Sequence, residues 1–211
     1  MKTDDLIEAL ALGVEPVKPA RLDWLALAAA VAASVLTVAV ALKLRADLDT
    51  AMLSPMLWVK GAYTASLAGA GLWLATRLGS PGRGFGAPGL LLAAIAGLML
   101  VLGGVELAVT PASERMAVLL GETWAVCARN ILIASVLTGP LVFVSARRLA
   151  PTRLAMSGAV LGVAASSVSA TAYGLLHCPE ASLSFMAVWY TSAICLGGLI
   201  GGIAGRFALR W

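Results

Sequence analysis

"WLALAAAVAASVLTVAVAL", residues 24–42, runs without a single charged side chain. As a helix rising ~1.5 Å per residue it covers roughly the ~30 Å of a bilayer's hydrocarbon core. A soluble core helix alternates an apolar stripe with a polar face, and this run has no polar face. Composition agrees along the whole chain: of 211 residues, 60% are hydrophobic and 12% charged, against roughly 25% charged in a soluble domain. The chain reads as an integral membrane protein.

Working outward from that run, five further stretches have the same character: residues Leu57–Ala75, Pro88–Val109, Trp124–Ser145, Arg153–Leu176 and Ser184–Ala208. None shows the period-two alternation of a membrane barrel strand, and backbone groups in lipid must be satisfied within the segment, so helices remain. The expected fold is all-α, a six-transmembrane-helix bundle with both termini cytoplasmic. Residues 1–22 form a leading cytoplasmic segment and residues 23–211 the membrane domain. The leading segment carries Asp4, Asp5, Glu8 and Glu15, unlike the basic start of a signal peptide.

Basic residues fix the orientation. With the N-terminus inside, the cytoplasmic segments hold Lys2, Lys18, Arg21, Arg77, Arg83, Arg147, Arg148, Arg153, Arg206 and Arg210, against Lys43, Arg45, Lys60, Arg115 and Arg129 outside. The acidic residues do not discriminate. Trp24, Trp73 and Trp211 then fall near the inner boundary, and Trp58, Tyr63, Trp124, Tyr173, Trp189 and Tyr190 near the outer one, as amphipathic rings prefer.

Chemistry is sparse and concentrated on the outer face. The only histidine lies in "HCPE", 177–180, on the turn between the fifth and sixth spans, so His177, Cys178 and Glu180 face the oxidising periplasm if the host is a bacterium. Cys127 enters the fourth span from the same face at similar depth. Cys195, eleven residues into the sixth span and so ~16 Å deep, is expected to be buried and inert. Two chemistries fit the outer pair. A Cys127–Cys178 disulfide would close a loop worth ~4 kcal/mol. Alternatively Cys127, Cys178 and His177 offer ligands suited to a transient copper or zinc ion, with Met52, Met56, Met116 and Met186 nearby, although the spacing contains no CxxC.

Lys60 is expected to snorkel outward, and Glu106 and Arg129, on a hairpin of the third and fourth spans, to pair with one another. Pro140 should kink the fourth span. Gly197, Gly201 and Gly205 make a small-residue face on the sixth span, suited first to a neighbouring helix and otherwise to a homodimer. No catalytic triad, phosphate loop or paired carboxylates occur, which argues against an enzyme, and no motif for direct nucleic-acid contact is present. The charges a transporter places near the bilayer midplane are missing too.

The leading segment reads as a short amphipathic helix. Thr3 would cap it, Asp4 and Asp5 complement its dipole, and Leu6, Ile7, Leu10 and Ala11 form the apolar stripe, with Glu8 facing away. About ten residues are marginal alone in water, and the acidity disfavours an anionic membrane surface, so a protein partner is expected.

The residues "MKTDDLIEALA" (1–11), "RNILIASVLTGPLVF" (129–143) with Trp124 and Cys127 before it, "APTRLAMSGAVLGV" (150–163) and "HCPE" followed by "AVWYT" (187–191) resemble the NrsF family across essentially the whole chain. That resemblance implies a bacterial inner-membrane anti-sigma factor with six helices, holding an extracytoplasmic-function sigma factor inactive. It also implies that two periplasmic cysteines, matching Cys127 and Cys178, matter under heavy-metal or oxidative stress. Residues Thr3, Asp4, Asp5, Leu6, Ile7 and Leu10 would meet the sigma factor, and Cys127, Cys178, His177 and Glu180 would sense the signal. The competing readings are a small metal or thiol transporter using the same cysteines and, more weakly, a membrane thiol oxidoreductase.

Overall fold

A computed structural model describes residues 21–80 and 82–210, together with Thr3, Ile7 and Glu8 of the leading segment. Those three are helical and exposed, so Thr3 sits within a helix and not at its cap. The calls on Asp4, Asp5, Leu6 and Leu10, and on Lys2, Lys18 and Trp211, lie outside the described residues.

The chain is all-α. Its long helices are α1 (Trp24–Thr37), α2 (Pro55–Leu78), α3 (Gly86–Val109), α4 (Trp124–Ser145), α5 (Leu154–Leu176) and α6 (Thr191–Ala208). Asp23 starts α1 by accepting from the backbone N–H groups of Leu25 at 2.9 Å and Ala26 at 3.4 Å, as an N-cap does. α1 continues through a π turn, Val38–Leu42, and ends where Lys43 takes φ 69°. α6 is entered through Leu183–Phe185 and a second π turn, Met186–Tyr190. α4 runs on through Pro140 to Ser145.

Among the described residues, five helical runs are long and apolar enough to cross a membrane: Trp24–Leu42, Gly86–Val109, Arg115–Ser145, Leu154–Leu176 and Leu183–Ala208. α2 matches them in length, at 24 residues, but Lys60, Arg77 and its many small or hydroxylated residues lower its hydropathy. Burial compensates, because half of α2 faces the protein interior.

Successive long helices run in opposite directions. The starts of α2, α4 and the α6 segment gather with the ends of α1, α3 and α5 at one end of the bundle. That end is stitched by Arg45 N–H to the Leu176 carbonyl at 2.9 Å. The opposite end is stitched by Asp23 N–H to the Ser145 carbonyl at 2.9 Å and by Ala150 N–H to the Gly79 carbonyl at 3.1 Å.

α5 is the central post. Fourteen of its 23 residues are buried, against three of 24 in α3. Its glycines explain how α6 comes so close: a Cβ on Gly158 or Gly162 would collide with the carbonyls of Gly201 and Gly197, and one on Gly197 with the Ser166 hydroxyl. The glycine face of α6 is therefore spent on α5 within the chain and is not open to a second copy.

The core divides into two clusters. One surrounds Tyr63, Cys127, Ile131, Tyr173, Cys178, Phe185, Met186 and Tyr190 at the α5–α6 turn. The other, at the opposite end, is aliphatic, built on Leu27, Leu74, Leu78, Val142, Leu149, Leu161 and Leu209. Tyr63, Tyr173 and Tyr190, read from sequence as boundary anchors, are core residues. Trp24, Trp58, Trp73 and Trp124 do stay exposed.

Candidate functional site

The site is built where α5 stops. His177 ends the helix, and Cys178 N–H reaches back to the Tyr173 carbonyl at 3.0 Å, folding the turn inward so that the Cys178 thiol enters the core. Cys127, one turn into α4, enters from the other side. Both thiols are fully buried and unbridged, and they pack into the same core cluster. The structure thus unites the two cysteines that the sequence placed at one depth. Cys195 departs from its expected place: it lies on the exposed face of α6, because α6 turns Ala193, Ile194 and its glycines inward instead.

A cation completes the pair. Lys60, expected to reach outward, is 1% exposed. Its ammonium donates to the Cys178 carbonyl at 3.1 Å and lies 5.9 Å from the Tyr190 ring centre. Room for it comes from Gly174 of α5, where a Cβ would stand 2.8 Å from Lys60 Cδ and 3.1 Å from the Tyr190 hydroxyl. Lys60 and the Arg45 guanidinium, which donates to the same carbonyl at 3.3 Å, converge on the Cys178 peptide. No carboxylate pairs with Lys60 among the described residues, where the single ion pair is Arg45–Asp47 at 2.7 Å. Contact with Cys127, aided by the Lys60 charge, pushes the Cys178 thiol down to about 5.

Tyrosines wall the pair. Tyr173 and Tyr190 stack at 6.1 Å, and their buried hydroxyls meet no hydrogen-bond partner. A polar cavity of about 230 Å³, lined by Arg45, Asp47, Ser54, Lys60, Pro179 and Glu180 among others, reaches in toward Lys60 from the end of the bundle.

His177 and Glu180 both hold this turn through hydrogen bonds. His177 bonds through Nδ1 to the Lys43 carbonyl at 2.8 Å and stacks on Tyr173 at 5.3 Å, pinning the end of α1 to the end of α5. Glu180 accepts from Glu122 N–H at 2.8 Å and from Thr123 N–H and Oγ1 at 3.0 Å each, so it clamps the start of the Cys127 helix. Among the described residues no group of three or more His, Cys, Asp or Glu side chains gathers at one point.

Glu106 does not pair with Arg129. It accepts instead from Ser182 Oγ at 2.8 Å, Ser184 N–H at 2.7 Å and Ser184 Oγ at 2.5 Å. Orphan N–H groups at the start of a helix outcompete a cation on another face of the bundle. Glu180 and Glu106 therefore hold the α5–α6 turn and the segment it leads to.

Sequence reasoning missed Lys60, Gly174 and the two tyrosines as parts of the site. Helical period carried the signal for the lysine: Lys60, Thr64, Leu67, Gly71 and Leu74 fall on one stripe of α2 and all are buried. Thr64 confirms the inward face by accepting from Thr171 Oγ1 of α5 at 2.8 Å.

The family profile described as "Negative regulator of sigma F", NrsF, matches residues 10–211. The chain belongs to this family. It is 40% identical over 217 residues to the anti-sigma-F factor NrsF of Caulobacter vibrioides (strain NA1000 / CB15N), covering 100% of both chains. It is 34% identical over 215 residues to the probable anti-sigma-F factor NrsF of Azospira oryzae (strain ATCC BAA-33 / DSM 13638 / PS), again across 100% of both. No solved structure is significantly similar to it.

Proposed function

We propose that this chain is a six-span anti-sigma factor of a bacterial inner membrane, with both termini cytoplasmic, which holds an extracytoplasmic-function sigma factor through residues 1–22 and releases it when the Cys127–Cys178 pair reacts. The observation that carries this reading is the pair itself: two buried thiols from separate elements, brought together with a lysine at the end of the bundle away from the leading segment. α2 joins the five apolar runs as the sixth span because Lys60, Tyr63 and Thr64 are hydrogen-bonded within the protein, and the two-to-one excess of basic residues favours the leading segment inside.

Oxidation supplies a balanced switch. A peroxide-class oxidant takes two electrons from the pair: the Cys178 thiolate attacks a peroxide oxygen, the Cys127 sulfur then displaces that oxygen to form the disulfide, and the Cys127 proton together with one from solvent leaves with the two reduced oxygens. A thiophilic metal ion would instead be held by the two sulfurs, with loss of the Cys127 proton. Either event draws α4 and the α5–α6 turn into a new spacing. α4 then supplies the path inward, since it carries Cys127 near one end and at the other accepts the backbone N–H of Asp23 through Ser145, roughly 27 Å away. Asp23 opens α1 directly after the leading segment. Such coupling needs a bundle with two arrangements.

On the cytoplasmic side, Ile7 is 59% exposed and helical, which suits an apolar stripe that finds its cover on a partner. The test is co-purification of the cognate sigma factor with the full chain. Leu6→Asp and Ile7→Asp should free it, and undiminished capture by both would sink the role of the leading segment. In a reporter strain, Cys127→Ser and Cys178→Ser should lose the response to oxidant or metal. A response unchanged in both would remove the thiol pair as the input.

A further inference from the structure

Between α4 and α6 a cleft of about 830 Å³ runs along the side of the bundle, within the ~300–1,000 Å³ typical of ligand sites. It exists because the glycines draw α6 onto α5 and away from α4. Its floor is made of Gly162, Ala165 and Gly197, and its walls include Val136 and Ile200. Measured along α4 from Ala128 to Phe143 it is about 20 Å long, against ~15 Å for one leaflet's half of the hydrocarbon. This is the length of an extended acyl chain.

Arg129 stands at one end of it. It is exposed, lies about 8 Å below the start of α4, and forms no ion pair with any described carboxylate, Glu106 being engaged by Ser182 and Ser184. A guanidinium left without an anion at the mouth of an apolar cleft calls for a phosphate whose tail fills the cleft. A second side cleft, about 410 Å³ and lined by Val31, Val35, Ala68, Val168 and Leu175 among others, has no charged residue. It serves as the internal comparison.

We infer that the α4–α6 cleft is a binding site for an anionic phospholipid, with one acyl chain along Val136 and Ile200 and the phosphate on Arg129. The inference rests on the membrane embedding proposed above but not on its thiol chemistry. Because α4 also carries Cys127, the lipid braces the helix that bears one half of the thiol pair.

The test uses the full chain purified in detergent and titrated with phosphatidylglycerol or phosphatidylcholine, with retained lipid counted by native mass spectrometry. The wild type should retain phosphatidylglycerol about tenfold more strongly than phosphatidylcholine, because choline's own cation offsets the phosphate charge and is repelled by Arg129, a difference of about 1.4 kcal/mol. Arg129→Gln should lose that preference, Arg129→Lys should keep part of it, and Val136→Trp, which fills the cleft, should lose both lipids. Equal retention of the two lipids by the wild type, or an unchanged preference in Arg129→Gln, overturns the site. So does efficient cross-linking of Ile200→Cys between copies in native membranes, which would place a second chain in the cleft. A chain that is soluble without detergent and holds neither lipid refutes the membrane reading itself, a result distinct from all of these.

Discussion

The two ends of the bundle are built on different principles. The end formed by the start of α1, the end of α4 and the tip of α6 is sealed by aliphatic side chains around Leu27, Val142, Leu161 and Leu209, and α5 meets α6 there backbone to backbone. The thiol end is held by polar clamps: Glu180 on the α4 start, Glu106 on the α6 segment, His177 on Lys43, and Lys60 and Arg45 on the Cys178 carbonyl. Aliphatic packing of this kind tolerates little change of shape, whereas hydrogen bonds among a few side chains rearrange when a charge or a bond among them changes. The difference teaches where a signal can enter and which half must stay rigid to carry it.

The comparison breaks most severely at the rigid half. Gly162→Leu drives a side chain into the Gly197 carbonyl. Overpacking costs ~1–3 kcal/mol even where neighbours can yield, and here backbone cannot, so we expect loss of monodisperse protein on size exclusion, with or without stress. Normal yield and melting temperature would show that α5 and α6 have room to separate.

At the thiol end, smaller lesions should act on the signal more than on the fold. Glu180→Ala leaves Glu122 and Thr123 without their acceptor, a loss of about 1–3 kcal/mol. It should lower the melting temperature and blunt the reporter response together, and a blunted response with no thermal change would mean that Glu180 does more than clamp. Asp23→Ala removes the α1 cap, about 1 kcal/mol, and should weaken the response while the Cys127–Cys178 pair remains oxidisable. Full response in that variant would show that the α1 cap plays no part in the coupling.

Finer still is the charge balance at Cys178. With its thiol held near 5, the thiolate is present above that pH and lost as pH falls through it. Alkylation of Cys178 should therefore persist at neutral pH and fade near 5. Cys127→Ala should raise the midpoint most, and Lys60→Met should raise it by less. A midpoint near 8.5 in the unaltered chain would deny the thiolate. The smallest effect is expected outside both ends: Cys195→Ser, on the exposed face of α6, should change stability within about 0.5 kcal/mol and leave the response intact.

Much of the molecule was readable before any coordinates. The apolar runs located the helices to within a few residues, since hydrophobic length needs no partner to be recognised. Cys127 and Cys178 were paired by depth alone. Charged residues were misread whenever their partner lay on another helix: Lys60 was sent to the solvent and Glu106 to Arg129, because a lone ionisable residue in an apolar run carries no mark of which face it takes. Cys195 failed likewise, since depth along a helix axis says nothing of the angle around it.

By itself, then, the sequence determined the helical class, the runs suited to lipid and the end of the bundle where the chemistry gathers, all properties of local hydropathy and order along the chain. Only the tertiary structure decided that Lys60 and two tyrosines enclose the thiols, that the α6 glycines are spent on α5, and that Arg129 stands without a carboxylate beside an open cleft. Those outcomes depend on how each helix is rotated about its own axis. That rotation is set by packing among all the helices together, and no single stretch of residues encodes it.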